Sequence, residues 1–331
     1  MPSSPVFDSR VFPSLLCLCL LLALSTTAGG ASGEKATDRL DECAKIADNA
    51  VRLTCYDELT GRGPVGKDAE SSLSRLWDLD TESRRKGFAL RPHRFNYILP
   101  YTYNATPSKE LLQADPGREI QNQEVKFQIS FKTKLWQDVL GEDMDLWIAY
   151  TQLSFWQFYD FKNSAPFREN NYEPELLLNF RTNTNLLGLR SRYINVGINH
   201  QSNGQSKPLS RSWNRVVANF GFERTRLNVI LKTWYRIPED EKDDDNPGIE
   251  RFMGYGQIDV HYHRDGHLVG LFVRNNLRAH GNKGAMQLEW SFPLFPYVSG
   301  YIQYFNGYGE SLLDYRASAN RIGAGLILKE W

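Results

Sequence analysis

The sequence is poor in several features that mark common protein classes. It contains 4 cysteines in 331 residues, and its 39 lysines and arginines are balanced by 39 aspartates and glutamates. A chain without net charge gives no indication of a nucleic acid or another polyanion as a partner. After residue 87 there is no long helical pattern and no apolar run of the roughly 20 residues that a membrane-spanning helix needs. The sequence also lacks a G-x-S-x-G motif, which argues against an α/β-hydrolase.

The first residues have the pattern of an export signal. Arg10 places a positive charge ahead of a short apolar run, Val11–Leu24, and small residues follow at Thr26–Ala28. Because this run is too short for a spanning helix, we expect residues 1–28 to be a cleaved signal peptide. Two of the cysteines lie within the apolar run, so two remain in the exported protein.

The segment 34–60 is predicted to be helical and contains the two remaining cysteines, Cys43 and Cys55. An even number of cysteines in an exported chain suggests a disulfide. One straight helix would separate them by about 18 Å, whereas a disulfide allows roughly 7 Å between Cα atoms. Either the segment folds back as a disulfide-linked helical hairpin, which we favour, or the cysteines stay free. Residues 61–86 are charged and weakly patterned, and we interpret them as a linker.

The remaining sequence, residues 87–331, consists of repeated segments of roughly ten residues, many with alternating apolar and polar side chains. Val125, Phe127 and Ile129 alternate with polar neighbours, for example, and aromatic residues lie near many segment ends, as in interfacial girdles. We therefore predict an all-β fold, an antiparallel transmembrane β-barrel of about 12 strands, with an even strand number. The alternative is a soluble all-β barrel or sandwich. The predicted strands are 88–103, 125–136, 145–159, 172–182, 190–202, 212–223, 226–237, 252–264, 267–278, 284–294, 297–308 and 319–331.

The stretch Tyr193–Phe222 is predicted to be a hairpin of two alternating strands around a Ser/Gly/Asn/Pro-rich loop at Asn203–Arg211. His200 and Ser202 continue the apolar face of the first strand, because alternate residues of a strand share a face. Asn214 shares the apolar face of the second strand. If His200 pairs with Asn214, three polar side chains meet at the end of an otherwise apolar surface.

These three residue types can form a hydrolytic triad. Ser202 needs a neighbouring base to act as a nucleophile, and His200 lies within roughly 6.5–7 Å along the strand. The Asn214 amide oxygen could orient the imidazole from the neighbouring strand. The alternative is a sheet with scattered polar residues near a loop. In a membrane barrel the apolar face points to lipid, so a triad there would meet lipid esters at the membrane interface.

The motif HxSNGxxxxxSRSWNR, which spans His200–Arg215, resembles the signature of the outer-membrane phospholipase A family. The resemblance extends from about Phe88 to Trp331. Four further stretches resemble the family: Ser164–Phe180, Asp244–Pro247, Met253–Ile258 and Gly307–Tyr315.

The resemblance implies calcium-dependent hydrolysis of glycerophospholipid acyl esters, of phospholipase A1/A2 type, in a bacterial outer membrane. It implies that the Gly204 amide and calcium-bound water stabilise the oxyanion. It also implies that Ser210 and the Gln205 carbonyl bind Ca²⁺, and that Ser164 of a second copy contributes a further ligand. Gln205 replaces an arginine of another family member, which a carbonyl ligand tolerates. Gln152 matches a dimer-interface residue, so we expect a homodimer to be the active form.

The main alternative function is a passive outer-membrane pore, with paired charges filling its lumen. A pore gives no reason to place His, Ser and Asn on the lipid-facing side. A structural barrel or adhesin would need longer outer loops than Asn203–Arg211. The acidic stretch Glu239–Asp245 could attract calcium, but we interpret it as a solvated loop.

Overall fold

The computed structural model describes residues 40, 42–49, 51–52, 55–56, 71–80, 88–108, 120–139 and 143–329. It divides into two units, Met1–Ala69 and Glu70–Trp331. In the first unit, Cys43 and Cys55 form a disulfide with their Cα atoms 5.5 Å apart. Residues 46–48 between them are not helical, so the two cysteines do not lie on one straight helix. The expected signal peptide, residues 1–28, lies outside the described residues.

The second unit is a closed antiparallel β-barrel. Of the 14 strands among its described residues, β1 and β6 have 2 residues each, and the others form a ring in which β14 pairs with β2. The predicted barrel of twelve strands is thereby confirmed. The strands are β1 (Arg91–Pro92), β2 (Tyr97–Asn104), β3 (Gln123–Trp136), β4 (Met144–Trp156), β5 (Phe167–Arg181), β6 (Asn185–Leu186), β7 (Leu189–Ser202), β8 (Ser212–Arg224), β9 (Leu227–Arg236), β10 (Gly256–Arg264), β11 (His267–Asn275), β12 (Gly284–Pro293), β13 (Val298–Tyr308) and β14 (Ser318–Leu328). The described residues of this unit also include two short α-helices, α1 (Ser72–Trp77) and α2 (Glu250–Met253), and a 3-10 helix at Phe161–Asn163.

Each predicted strand corresponds to one strand of the ring, and the largest difference in bounds is at the first. The first strand was expected to begin at residue 88, whereas β2 begins at Tyr97. The preceding residues bond to the middle of β3 instead of continuing the strand. Asn96 exchanges hydrogen bonds with the backbone of Ser130, and the Arg94 N–H donates to the Ser130 hydroxyl at 3.0 Å. These side-chain bonds take the place of a regular strand ladder.

Alternation divides the ring into an inner and an outer face. On β7, Val196 and Ile198 are exposed on the outer face, while Asn195 and Asn199 are buried on the inner face. Neighbouring strands are joined by short turns at one end, such as residues 225–226, and by longer loops at the other. Within the described ranges, no helix combines the length and the apolar character needed to cross a membrane.

Paired charges occupy the inner face. Glu173 accepts two hydrogen bonds from the Arg94 guanidinium, at 2.7 and 2.8 Å. Glu310, in the loop between β13 and β14, pairs with Lys126 at 2.9 Å and with Arg321 at 3.0 Å. Burial by itself raises the pKa of the Glu310 carboxyl, but the charges of Arg321 and Lys126 outweigh it and lower the pKa to about 2. The Glu310 carboxylate is therefore ionised and paired.

Helix α1 packs inside the barrel at its short-turn end. Its Trp77 is buried, with the ring centre 5.6 Å from that of Trp147 and 5.2 Å from that of Tyr193. The ammonium of Lys132 lies 3.6 Å from the centre of the Trp77 ring, within the range of a cation–π interaction.

The linker expected over 61–86 is therefore wrong for residues 71–80. Ser71 caps the helix by accepting a hydrogen bond from the Ser74 N–H, and Leu73 is buried with Trp77 one turn later. A single turn of apolar spacing among charged residues is too short a pattern to stand out in the sequence.

The burial of Trp77 generates a prediction on stability. We expect Trp77→Ala to lower the free energy of unfolding by about 3 kcal/mol, because it leaves a cavity and removes the cation–π contact. Denaturant unfolding of the refolded protein in detergent micelles measures this. Phe88→Ala is the matched control, since Phe88 is 77% exposed. Equal destabilisation by both substitutions would contradict the packing role of Trp77.

Candidate active site

The predicted hairpin is formed by β7 and β8, in the register that brings the three polar side chains together. His200 lies opposite Asn214, Ile198 opposite Val216, and Ser202 opposite Ser212. All of these side chains belong to the outer face. His200 is exposed, whereas Ser202 and Asn214 are half-buried. The register thus brings an imidazole, a hydroxyl and an amide together at the loop end of a lipid-facing surface.

His200 and Asn214 make a direct hydrogen bond. The Nδ1 atom of His200 lies 2.8 Å from Oδ1 of Asn214. Because an amide oxygen only accepts hydrogen bonds, Nδ1 carries the proton and Nε2 is left as the basic nitrogen. Among the described residues no hydrogen bond joins Ser202 to His200. Two residues along a strand are about 6.5–7 Å apart, a gap that the two side chains can span.

The loop after Ser202 is organised by Asn203, a residue whose role was not recognised in the sequence. Its buried side chain accepts hydrogen bonds from the backbone N–H of Arg211 at 2.9 Å and of Gln205 at 3.3 Å, and donates one to the Leu209 carbonyl at 2.8 Å. An asparagine that follows a strand and begins a loop is a known signal for a turn. Asn203 therefore fixes the loop that carries Gly204, Gln205 and Ser210.

Gly204 occupies a position that suits glycine alone. Its φ is +65°, and a Cβ atom there would lie 3.1 Å from the ring of Tyr172. Residues with a side chain rarely adopt this backbone conformation, and the neighbouring Tyr172 ring leaves little room for a Cβ atom. Tyr172 lies directly opposite Ser202 on β5, so the loop, the ring and the serine are packed as one group.

The acidic stretch Glu239–Asp245 is exposed at residues 240–243, as expected of a solvated loop, but its last residue contacts the site. The Ser210 hydroxyl donates a hydrogen bond to Asp245. The Lys207 ammonium lies 3.7 Å from the other oxygen of that carboxylate, Oδ1. The Ser212 N–H donates to Oδ1 of Asn246 at 2.9 Å. Sequence periodicity carries no signal for such contacts between loops.

Gln152 lies on the outer face at the level of Ser202. Gln152 is opposite Tyr172, which is opposite Ser202, so one strand separates the two. Strands are about 4.8 Å apart, which places Gln152 roughly 10 Å from Ser202. Its amide accepts a hydrogen bond from the Tyr150 hydroxyl at 3.3 Å and donates one to Ser154 at 3.1 Å. A polar cluster on a lipid-facing surface suits a contact with another protein molecule.

Ser164 is exposed in the loop between β4 and β5, at the same end of the barrel. In the part of the chain that the structure describes, no hydrogen bond joins it to residues 203–211. The structure therefore brings Gln205 and Ser210 into one loop and leaves Ser164 in another.

The oxygen atoms around Ser210 are compatible with calcium, which binds hard oxygen ligands. Among the described residues, no hydrogen-bond donor contacts the buried Oδ1 of Asp245, which lies 3.7 Å from the Lys207 ammonium. The Ser210 hydroxyl lies beside the same carboxylate. Within the described ranges, no group of three or more His, Cys, Asp or Glu side chains could hold a metal ion.

Known proteins match this chain over most of its length. A sequence model of the family described as phospholipase A1 matches residues 73–328. Phospholipase A1 of Escherichia coli (strain K12) is 38% identical, over 73% of this chain and 82% of its own.

Two solved structures match with similar identity. One is an active-site mutant of Escherichia coli outer membrane phospholipase A in which an asparagine is replaced by alanine. It has a TM-score of 0.71 and 34% identity, over 80% of this chain and 98% of its own. The other is a Salmonella typhi outer membrane phospholipase dimer with bound calcium. It has a TM-score of 0.70 and 37% identity, over 75% of this chain and 95% of its own.

The barrel and these matches define the protein as a β-barrel enzyme of the bacterial outer membrane. The chain belongs to the phospholipase A1 family, and it is an ester hydrolase that acts on phospholipids.

Gly204 generates a prediction on activity. We expect Gly204→Ala to lower phospholipid hydrolysis by about 10- to 100-fold, because the new Cβ displaces the loop from Tyr172 and small displacements near reacting groups have effects of this size. Hydrolysis in mixed micelles measures it. Gly281→Ala is the control: Gly281 has a φ of +69° and no atom within 4 Å of the added Cβ. If both variants keep full activity, the packing of Gly204 has no functional role.

Proposed function

We propose that the protein hydrolyses glycerophospholipid acyl esters with a Ser202–His200–Asn214 triad. The observation that carries this proposal is the 2.8 Å hydrogen bond between His200 and Asn214 beside Ser202 on the outer face. The mutated asparagine of the Escherichia coli enzyme supports it, because that structure is described as an active-site mutant.

In this mechanism Ser202 Oγ attacks the ester carbonyl while Nε2 of His200 takes its proton. The bond between the acyl carbon and the glycerol oxygen then breaks, and the imidazolium gives the proton to that oxygen. Water, deprotonated by the same nitrogen, releases the fatty acid and restores Ser202. Asn214 holds the imidazole in the tautomer that leaves Nε2 free. The backbone N–H of Gly204 is the proposed donor to the oxyanion.

The position of the triad determines which substrate reaches it. The three side chains lie at the loop end of an outer surface on which Val196, Ile198 and Val216 are exposed. Acyl chains in the membrane can lie along that surface while the ester reaches the triad at the loop end. A phospholipid therefore need not leave the membrane to be hydrolysed.

Calcium fits the loop beside the triad. We propose that the Ser210 hydroxyl and the Gln205 carbonyl bind it, with Ser164 of a second copy and water as further ligands. When bound, the ion supplies positive charge that favours the oxyanion. Calcium usually takes 6–8 oxygen ligands, and one chain provides too few of them here. This shortfall, the outer-face position of Gln152 and the calcium-bound Salmonella typhi dimer together support an active homodimer.

The nucleophile and the ion are tested in one assay. We expect the protein to release fatty acid from phospholipid micelles with calcium and to lose release when a chelator is added. Ser202→Ala should lower the rate by more than about 1,000-fold, since removing a nucleophile has effects of this order.

Persistent release by Ser202→Ala would contradict the triad. No release from either protein, although both are folded and dimeric, would favour the passive pore, and ion conductance in planar bilayers would then be the measurement.

The dimer generates a separate prediction. We expect Gln152→Leu to weaken calcium-dependent dimerisation by about tenfold and to lower activity in proportion, because it removes the hydrogen-bonding amide of the proposed interface. Chemical cross-linking and sedimentation in detergent measure the dimer. Val269→Ala, an outer-face change on β11 across the ring, should alter neither. Full activity of covalently isolated monomers would contradict activation by dimerisation.

A further inference from the structure

The Asn214 amide has a second partner besides His200. Its Oδ1 atom faces the imidazole, and its Nδ2 group donates a hydrogen bond to Oε1 of Glu239 at 3.1 Å. Glu239 lies in the loop between β9 and β10, three residues after β9 ends at Arg236. The amide is thus held at both ends, by an imidazole on one side and by a carboxylate on the other.

The backbone brings Glu239 to this place. The N–H of Ile237 donates to the Asn214 carbonyl at 2.8 Å, one residue beyond the paired Arg215 and Arg236. Pro238 follows, and its ring fixes φ near −65°. The start of the loop is therefore tied to the residue whose side chain Glu239 contacts.

Charged groups around Glu239 favour its orientation toward Asn214. Arg236 lies 3.6 Å from Oε2 of Glu239 and donates to Asp244 at 2.6 Å. It also lies 3.6 Å from Glu250 of α2. From β8, the neutral amide of Asn214 contacts Glu239, and His200 lies opposite Asn214 on β7.

We propose that Glu239 is a positioning residue for the hydrolysis. This inference rests on the proposed triad. A carboxylate can accept hydrogen bonds but cannot donate them. Glu239 therefore holds the NH₂ group of Asn214 toward itself and the amide oxygen toward His200. Its charge also polarises the amide, since chains of hydrogen bonds strengthen one another. Asn214 and Glu239 together then stabilise the imidazolium, a role that one aspartate fills in the more usual triad.

The test compares two variants of the full-length protein in the calcium-supplemented micelle assay. Glu239→Ala removes both the acceptor and the charge, and we expect kcat to fall about tenfold with KM within about twofold of the parent. Glu239→Gln keeps an acceptor oxygen and loses the charge, and we expect a smaller fall of about threefold. Glu241→Gln is the matched control, because Glu241 is an exposed residue of the same loop and loses the same charge.

The pH–rate profile separates this role from a merely structural one. Loss of the nearby negative charge disfavours the protonated imidazole, so the basic form persists to lower pH. In Glu239→Gln the acidic limb should therefore move to lower pH, by roughly 0.5 pH unit for a charge one amide away. Glu241→Gln should leave the limb in place.

An unchanged kcat and an unchanged pH profile in Glu239→Gln would overturn the inference, and so would equal changes in Glu241→Gln. If Glu239→Ala fails to fold, the nearly isosteric Glu239→Gln decides alone. Ser202→Ala, assayed in parallel, distinguishes the two failures. Activity that survives in Ser202→Ala refutes the triad itself, whereas an inactive Ser202→Ala with a normal Glu239→Gln refutes only the role of Glu239.

Discussion

Closure of the sheet is the constraint on which the rest of this molecule depends. Because β14 pairs with β2, each of the twelve described ring strands has a paired neighbour on both sides, as a sheet in lipid requires. Closure also gives every side chain of the ring one of two environments, the lumen or the membrane. His200, Ser202 and Asn214 could have been buried by a shift of one residue in register. They lie outside because the flanking apolar residues require that face to meet lipid.

The lumen shows the consequence of the same rule for charged residues. The Glu173 and Glu310 carboxylates are buried, so each needs cations beside it to offset the cost of leaving water. Helix α1 adds an apolar cluster around Trp77 at the short-turn end. Together these contacts make the barrel a rigid support for a surface site, and they fill much of the space that a pore would leave open.

The sequence predicted the parts that depend on period-two alternation and not those that depend on contacts between loops. The strands predicted at 190–202 and 212–223 differ from β7 and β8 by one residue at one end each. The same pattern placed His200 and Asn214 on the apolar faces of their strands, and their pairing, considered as a condition, is present in the structure. Helix α1 was not predicted, because a single helical turn gives too little periodicity in the sequence. The contacts of Glu239 could not be inferred, because nothing in the order of residues shows which loop folds over which strand.

A physical reason connects the amide of the proposed triad with its position. A carboxylate at residue 214 would place a full charge on a surface that meets hydrocarbon, and charged groups on that face of a barrel are destabilising in proportion to their depth. An amide at Asn214 presents the same oxygen to His200 without that charge. The charge is instead held by Glu239, beyond the end of β9, where Arg236 lies 3.6 Å away. The role of one aspartate is thus divided between a neutral residue on the membrane face and an acidic residue in the loop. This division suits an enzyme whose substrate is the membrane itself.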